Sequence, residues 1–224
     1  IYMNFIAANE RPLFIKVFKW YIWLLFRRRF SNVQIKKDYS PTTEHKTIYF
    51  ANHNSWWDGL IPLLLNEFVL HQNARAIMED KQMRRFPFFK WIGAFSINRE
   101  DPKSAVYTLR YALQSMHRPG AALYIYPEGH LRPPHKSFNP DFEGGLAWLY
   151  SKLPEVDFVP LSIYMHSYKS DKSSLVIHIG EPVKINSGIS HEKINSYFES
   201  VSGENLRAIA DTEPHEFREY NPLW

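Results

Sequence analysis

The chain has 224 residues, enough for one domain with a proper core or two small ones. Hydrophobic residues make up 45% of it and aromatic residues 16%, which excludes a disordered chain and calls for a large apolar core or a lipid-facing patch. There is no cysteine, so disulfides, thiolate metal sites and cysteine nucleophiles are excluded, and the net charge of +4 is unevenly spread.

Residues 1–37 carry eight basic side chains against one acid, whereas residues 191–224 carry seven acids against three bases. A basic N-terminal face points to an anionic partner. The stretch "PLFIKVFKWYIWLLFRRRF", Pro12 to Phe30, has the period of a helix. Phe14, Phe18, Tyr21, Ile22 and Leu25 share one broad face, with Lys16, Lys19, Trp23 and Arg27 on the other. Its uninterrupted apolar run, Trp20 to Phe26, falls far short of the roughly 20 residues that span a bilayer. It also lacks the cleavage site of a secretory signal. Either the helix lies in a membrane interface, with aromatics sunk and basic side chains at the headgroups, or it packs on its own domain with a solvated basic side. A nucleic-acid partner is disfavoured, because the bulky aliphatic residues would be stranded in water. The expected division is an amphipathic membrane-surface helix over residues 1–37 and an α/β domain over residues 38–224.

Beyond Asp38 short apolar strands alternate with longer amphipathic segments. Strands are expected at residues 47–51, 94–98, 121–126, 157–164 and 174–179. Helices are expected over Ser55–Glu67, Lys81–Phe89, Lys103–His117, Glu143–Lys152, His191–Val201 and Glu204–Asp211. This alternation argues for a single α/β domain with a mostly parallel sheet flanked by helices. Pro160, inside the strand "DFVPLSIY", loses a ladder hydrogen bond and points to an edge or bulge.

The first strand runs into "NHNSWWDG", which puts His53 at a strand's carboxyl end and Asp58 in the first turn of the next helix. Facing each other, they would form a base whose tautomer the carboxylate fixes. Ser55 with Asp58 three positions on is also a capping box, which would leave both residues a purely local role. Later in the chain stand "GAFSINR" (93–99), "YPEGHLR" (126–132) and "FVPLSIY" (158–164). Arg99 at a strand end can clamp phosphate with two parallel bonds, or can pair with Glu100 or Asp101 on the surface. His45, His71, His117, His135, His166, His178, His191 and His215 show no metal-ligand spacing and read as surface or core.

In order and spacing these blocks resemble those of the glycerolipid acyltransferases, best known as 1-acylglycerol-3-phosphate O-acyltransferases. His53 and Asp58 match their His-X4-Asp motif. The resemblance implies that His53 is the general base, Asp58 its orienter and Arg99 the anion clamp. Tyr126, Pro127, Glu128 and Gly129 match the third block, but His130 and Leu131 stand where the family has threonine and arginine, with Arg132 one place late. Glu128, Gly129, His130 and Arg132 are thereby candidate substrate-binding residues, and Gly129 a candidate source of oxyanion donors. Trp56, Trp57 and Phe95, with Phe86, Phe88, Phe89 and Trp91, are candidates for an acyl groove or for plain core. The implied partners are an acyl-CoA or acyl-carrier-protein donor, a lysophospholipid or other lipid alcohol, and an anionic membrane surface, without cofactor or metal. A peripheral or monotopic protein on the cytoplasmic face of a membrane is expected. The altered third block leaves open a phosphate-free acceptor such as a glycolipid, carotenoid glycoside or ornithine lipid. A catalytically silent lipid-binding protein is the rival from another class.

Overall fold

Residues 47–51 and 121–125 are buried along their whole length, as strands are when helices cover both faces of a parallel sheet. They are β2 (Thr47–Ala51) and β5 (Ala121–Ile125) of an eight-stranded sheet in the computed structural model, which describes residues 5–42, 44–167, 170–185, 188–212 and 220–224. The other strands are β1 (Val33–Lys37), β3 (Asn73–Glu79), β4 (Ala94–Ile97), β6 (Asp157–His166), β7 (Ser174–Ile179) and β8 (Asn221–Pro222). Their order is β4-β3-β5-β2-β6-β7-β1-β8. Every pairing from β4 to β6 is parallel, β7 runs against β6, β1 is parallel to β7, and β8 runs against β1.

Helices α1 (Pro12–Arg29), α2 (Ile61–Leu65) and α3 (Asp80–Arg85) share one core cluster with the sheet; α4 (Pro102–Ser115), α5 (Gly145–Lys152) and α6 (His191–Asp211) share the other. The fold is thus a single α/β domain with a mostly parallel sheet between helical layers.

Local chemistry explains where these elements differ from expectation. The segment expected as one helix from Ser55 splits into a 3₁₀ turn (Trp56–Leu60), α2 and a π turn (Asn66–Leu70), which His71 ends in the left-handed region at φ 56°. Pro87 breaks the next expected helix, since the residue before a proline avoids the α region; Phe86 sits at φ −128°, ψ 76°, and a 3₁₀ turn (Pro87–Ile92) follows. The two expected C-terminal helices are one, because Gly203 marks a close approach and no break. A Cβ there would lie 2.6 Å from the carbonyl oxygen of Phe138.

Pro160 lies on an interior strand, between β2 and β7, and neither at an edge nor in a bulge. Its carbonyl accepts from the Gly180 N–H at 3.0 Å, just past the end of β7, and pairing of β6 with β7 begins only at Leu161. The missing N–H faces that same side, so the ladder with β2 loses nothing.

The N-terminal residues are built into the domain. Residues 5–11 lace the outer edge of the sheet: Ile6 and Ser96 exchange bonds at 2.7 and 2.9 Å, and Glu10 pairs with Arg75 at 2.6 Å. Covering β4 in this way removes an open edge. On α1, Ile22 and Phe26 are buried, with Phe26 and Phe30 edge-on to Trp57, and Phe14 and Phe18 pack on Phe88. The face holding Phe14, Phe18 and Ile22 therefore turns to the protein's own core. The opposite face carries Leu13, Val17, Trp20, Tyr21 and Leu24, each more than half exposed, beside exposed Lys16, Arg27 and Arg28. Tyr21, expected on the first face, belongs to this one. No helix among the described residues is long and apolar enough to cross a membrane. Val33–Lys37, counted from the sequence with the N-terminal segment, forms β1 within the sheet.

Because Phe26 fills the core rather than decorating an appendage, Phe26→Ala is expected to lower the stability of the whole domain by about 3–5 kcal/mol. Urea denaturation followed by tryptophan fluorescence measures it; a loss below about 1 kcal/mol would refute this packing.

Candidate active site

Beyond the end of β2, Asn52 is buried and binds the backbone of Ile163 twice, donating to its carbonyl and accepting from its N–H, both at 2.8 Å. The strand's carboxyl end is thereby fixed to β6 before the chain turns. Ser55, in extended conformation, starts the 3₁₀ turn, and Asp58 enters it fully buried. Asp58 Oδ2 accepts from the Asn54 N–H at 2.7 Å and the Ser55 N–H at 2.8 Å, and Oδ1 accepts from the Ser55 hydroxyl at 2.8 Å. His53 Nδ1 stands 3.1 Å from Oδ2. An ionised carboxylate only accepts, so Nδ1 carries a proton, and in the neutral ring Nε2 is the nitrogen that keeps its lone pair. The capping arrangement and the His–Asp pair, alternatives in the sequence, are one structure.

Tyr126, just past the end of β5, closes the other side. Its ring lies 4.5 Å from the imidazole, centroid to centroid, and its hydroxyl donates to the Asp58 carbonyl. Burial, and then the Asp58 charge, push the Tyr126 phenol well above its ordinary pKa, so it remains a donor.

His53 opens onto a cavity of about 500 Å³ over the carboxyl ends of β2, β3, β4 and β5, the place where open α/β sheets hold ligands. Much of its wall is apolar: Ile77, Met78, Phe86, Phe89, Ile97, Ala105, Leu109, Ile125 and Leu146. Trp56, Arg99, Gly129, His130 and Leu131 also line it, together with Glu79, Gln82 and Glu143.

The candidate residues divide accordingly. Arg99 is free to face the cavity because its possible surface partners are engaged elsewhere: Glu100 pairs with Lys81 at 2.6 Å, and Asp101 caps α4 through the Lys103 N–H at 2.9 Å. Gly129, at φ 70°, lets the loop pass under that guanidinium, where a Cβ would lie 2.9 Å from Arg99 Nε. The Gly129 N–H already donates to the Tyr126 carbonyl at 2.9 Å. Glu128 is buried and pairs with Arg132 at 2.6 Å; neither lines the cavity. Trp57 and Phe95 do not line it either. Trp57 packs between Phe26 and Phe30, and Phe95 is fully buried beside Phe5 and Tyr111. Of the further aromatics, Phe86 and Phe89 line the cavity, whereas Phe88 and Trp91 pack against α1.

Ile77, Met78 and Glu79 escaped the sequence reading because β3, with Arg75 and Glu79 breaking its apolar run, did not read as a strand. Had it done so, their position at a carboxyl end was the available signal. Elsewhere, His45, His71, His117, His135 and His191 are exposed, His166 is half-buried, and buried His178 pairs with Asp38 at 2.6 Å; His215 lies outside the described residues.

A family model described as Acyltransferase matches residues 29–164, more than half the chain and every residue that lines the cavity described above.

The chain belongs to the acyltransferase family.

The fold of this acyltransferase is similar to that in the crystal structure of the 1-acyl-sn-glycerophosphate (LPA) acyltransferase, PlsC, from Thermotoga maritima. The TM-score is 0.61 and the identity 18%, over 88% of this chain and 81% of that one. No curated protein sequence matches.

In this acyltransferase Asp58 and the imidazole of His53 form one hydrogen-bonded unit. Asp58→Asn removes the charge that faces the imidazole and leaves one acceptor oxygen where two now serve, and is expected to reduce acyl transfer by on the order of 10²–10⁴-fold. Steady-state rates on folded protein test this, and an undiminished rate would remove Asp58 from the mechanism.

Proposed function

We propose that this acyltransferase moves a fatty acyl group from a thioester, acyl-CoA or acyl-carrier protein, to a hydroxyl of a lysophospholipid such as 1-acylglycerol-3-phosphate. The observation that carries the reading is the Asp58-paired His53, its second nitrogen unengaged by that pair, at the wall of a largely apolar cavity that also holds Arg99. His53 Nε2 takes the acceptor's hydroxyl proton while the oxygen attacks the thioester carbonyl, forming the new C–O bond. Collapse of the tetrahedral intermediate breaks the C–S bond, and the leaving thiolate takes the proton back from the imidazolium. No acyl-enzyme is required. Arg99, which lines the cavity together with His130, receives the acceptor's anionic head, and the apolar wall receives an acyl chain.

A phosphate-free lipid alcohol as acceptor is the second reading. It is favoured by the engagement of Arg132 with Glu128, which leaves Arg99 as the arginine of the cavity wall.

The outward apolar face of α1, bordered by Lys16, Arg27 and Arg28, supports work at an anionic membrane surface, on its cytoplasmic side. Deleting the helix would also remove Ile22 and Phe26 from the core, so the surface role is tested by substitution at exposed positions.

His53→Ala is expected to abolish acyl transfer without unfolding the protein, although losing one donor to the buried Asp58 lowers its melting temperature; retained turnover would end the general-base assignment. Product analysis with lysophosphatidate beside a phosphate-free lipid alcohol separates the two acceptor readings. Trp20→Glu combined with Leu24→Glu should weaken binding to anionic liposomes by about tenfold or more, since each buried side chain contributes roughly 1.5–3 kcal/mol. Undiminished co-sedimentation would refute the surface role of α1.

A further inference from the structure

Among the described residues Arg132 makes three connections, and none of them turns its side chain into the cavity. Its N–H donates to the His53 carbonyl at 2.8 Å, its carbonyl accepts from Asn54 Nδ2 at 2.9 Å, and its Nη1 donates to Glu128 Oε1 at 2.6 Å. Asn54 Nδ2 also reaches the Ser137 hydroxyl at 2.7 Å. His53 and Asn54, which precede the capping Ser55, are thus stitched to the loop that follows β5. The Glu128 side chain is wholly buried and that of Arg132 is 17% exposed, so the pair is largely shielded from water, where such a contact holds its geometry.

We propose that Arg132 is a positioning residue, which through Glu128 locks the His53–Asn54 backbone and so fixes the imidazole against Asp58, and that it takes no part in binding the acceptor's anion. A guanidinium placed to clamp phosphate presents its fork to the ligand; here one arm is held by Glu128, and Arg132 is absent from the cavity wall. The backbone bonds add a second, independent reason. They tie the segment carrying the base to the same residue whose side chain is anchored on Glu128, so loosening the anchor loosens the base.

The two roles predict opposite signs at Glu128. If Arg132 positions His53, Arg132→Gln and Glu128→Gln act alike, each lowering kcat roughly ten- to hundredfold through misplacement of the base. The KM for lysophosphatidate and for a phosphate-free acceptor then stays within about twofold of wild type. If Arg132 were an anion clamp, Arg132→Gln would raise the KM for lysophosphatidate alone, and Glu128→Gln, by releasing the guanidinium, would lower it. Should Arg132→Gln fail to fold, Glu128→Gln decides between the two by itself.

The kinetic arm rests on the proposed acyl transfer, so a second readout stands apart from activity. Ring ¹⁵N shifts of His53 in the full chain are expected to report the single Nδ1–H tautomer in the wild type and a mixture in both variants. Wild-type inactivity towards every acceptor would overturn the acyl-transfer reading and leave this signature to judge the positioning role. An unchanged His53 spectrum in both variants would overturn the positioning role itself.

Discussion

A single carboxylate organises the centre of this molecule. Asp58 is removed from water, and an ion in that position must be compensated by directed donors. Two backbone N–H groups, a hydroxyl and an imidazole supply them, all from the stretch His53–Ser55. The same contacts that make the burial tolerable shape the turn and set the histidine. Stability and chemistry are therefore inseparable at this point, and the surrounding framework works to keep the turn where it is. Asn52 fixes it to β6, Tyr126 covers its ring, and the loop after β5 grips its backbone.

The cavity follows from the sheet. Parallel strands bring their carboxyl ends to one side, and the helices on either face leave a gap above β2 to β5. Residues from both core clusters meet there, Phe89 from one and Leu146 from the other. An amphipathic molecule finds both kinds of wall in one place, with a polar mouth around His53 and Arg99 beside aliphatic lining. Arg99 reaches that place because Gly129 has no side chain to block it.

Strands with continuous apolar runs were legible in the sequence, as was the His53–Asp58 pair, because burial on both faces and a capping signature are local properties. What stayed hidden depends on partners distant in sequence. β3 carries Arg75, which is accommodated within a strand by Glu10 from the N-terminal segment and by Ser115 and Tyr111 from α4. The helices expected at His191–Val201 and Glu204–Asp211 run together through Gly203, where nothing nearby in the chain shows the Phe138 carbonyl pressing close. α1 showed one broad apolar face by its period, yet it has two, and only the tertiary packing tells which turns inward. Trp57 and Phe95 illustrate the same limit: an aromatic near a candidate site motif reads the same whether it meets ligand or core.

The sheet order carries a consequence for how the molecule is assembled. The strands that hold the cavity, β2 to β5, come from the contiguous stretch 47–125, so their pairings close loops of modest length. The far side is different: β1 must wait for β7, and its outer edge is capped by residues 221–222. During synthesis on the ribosome, a chain can thus pair the strands under the cavity while β1 still has no neighbour. That interval exposes an unpaired strand, the kind of surface on which chaperones act and from which misassembly starts.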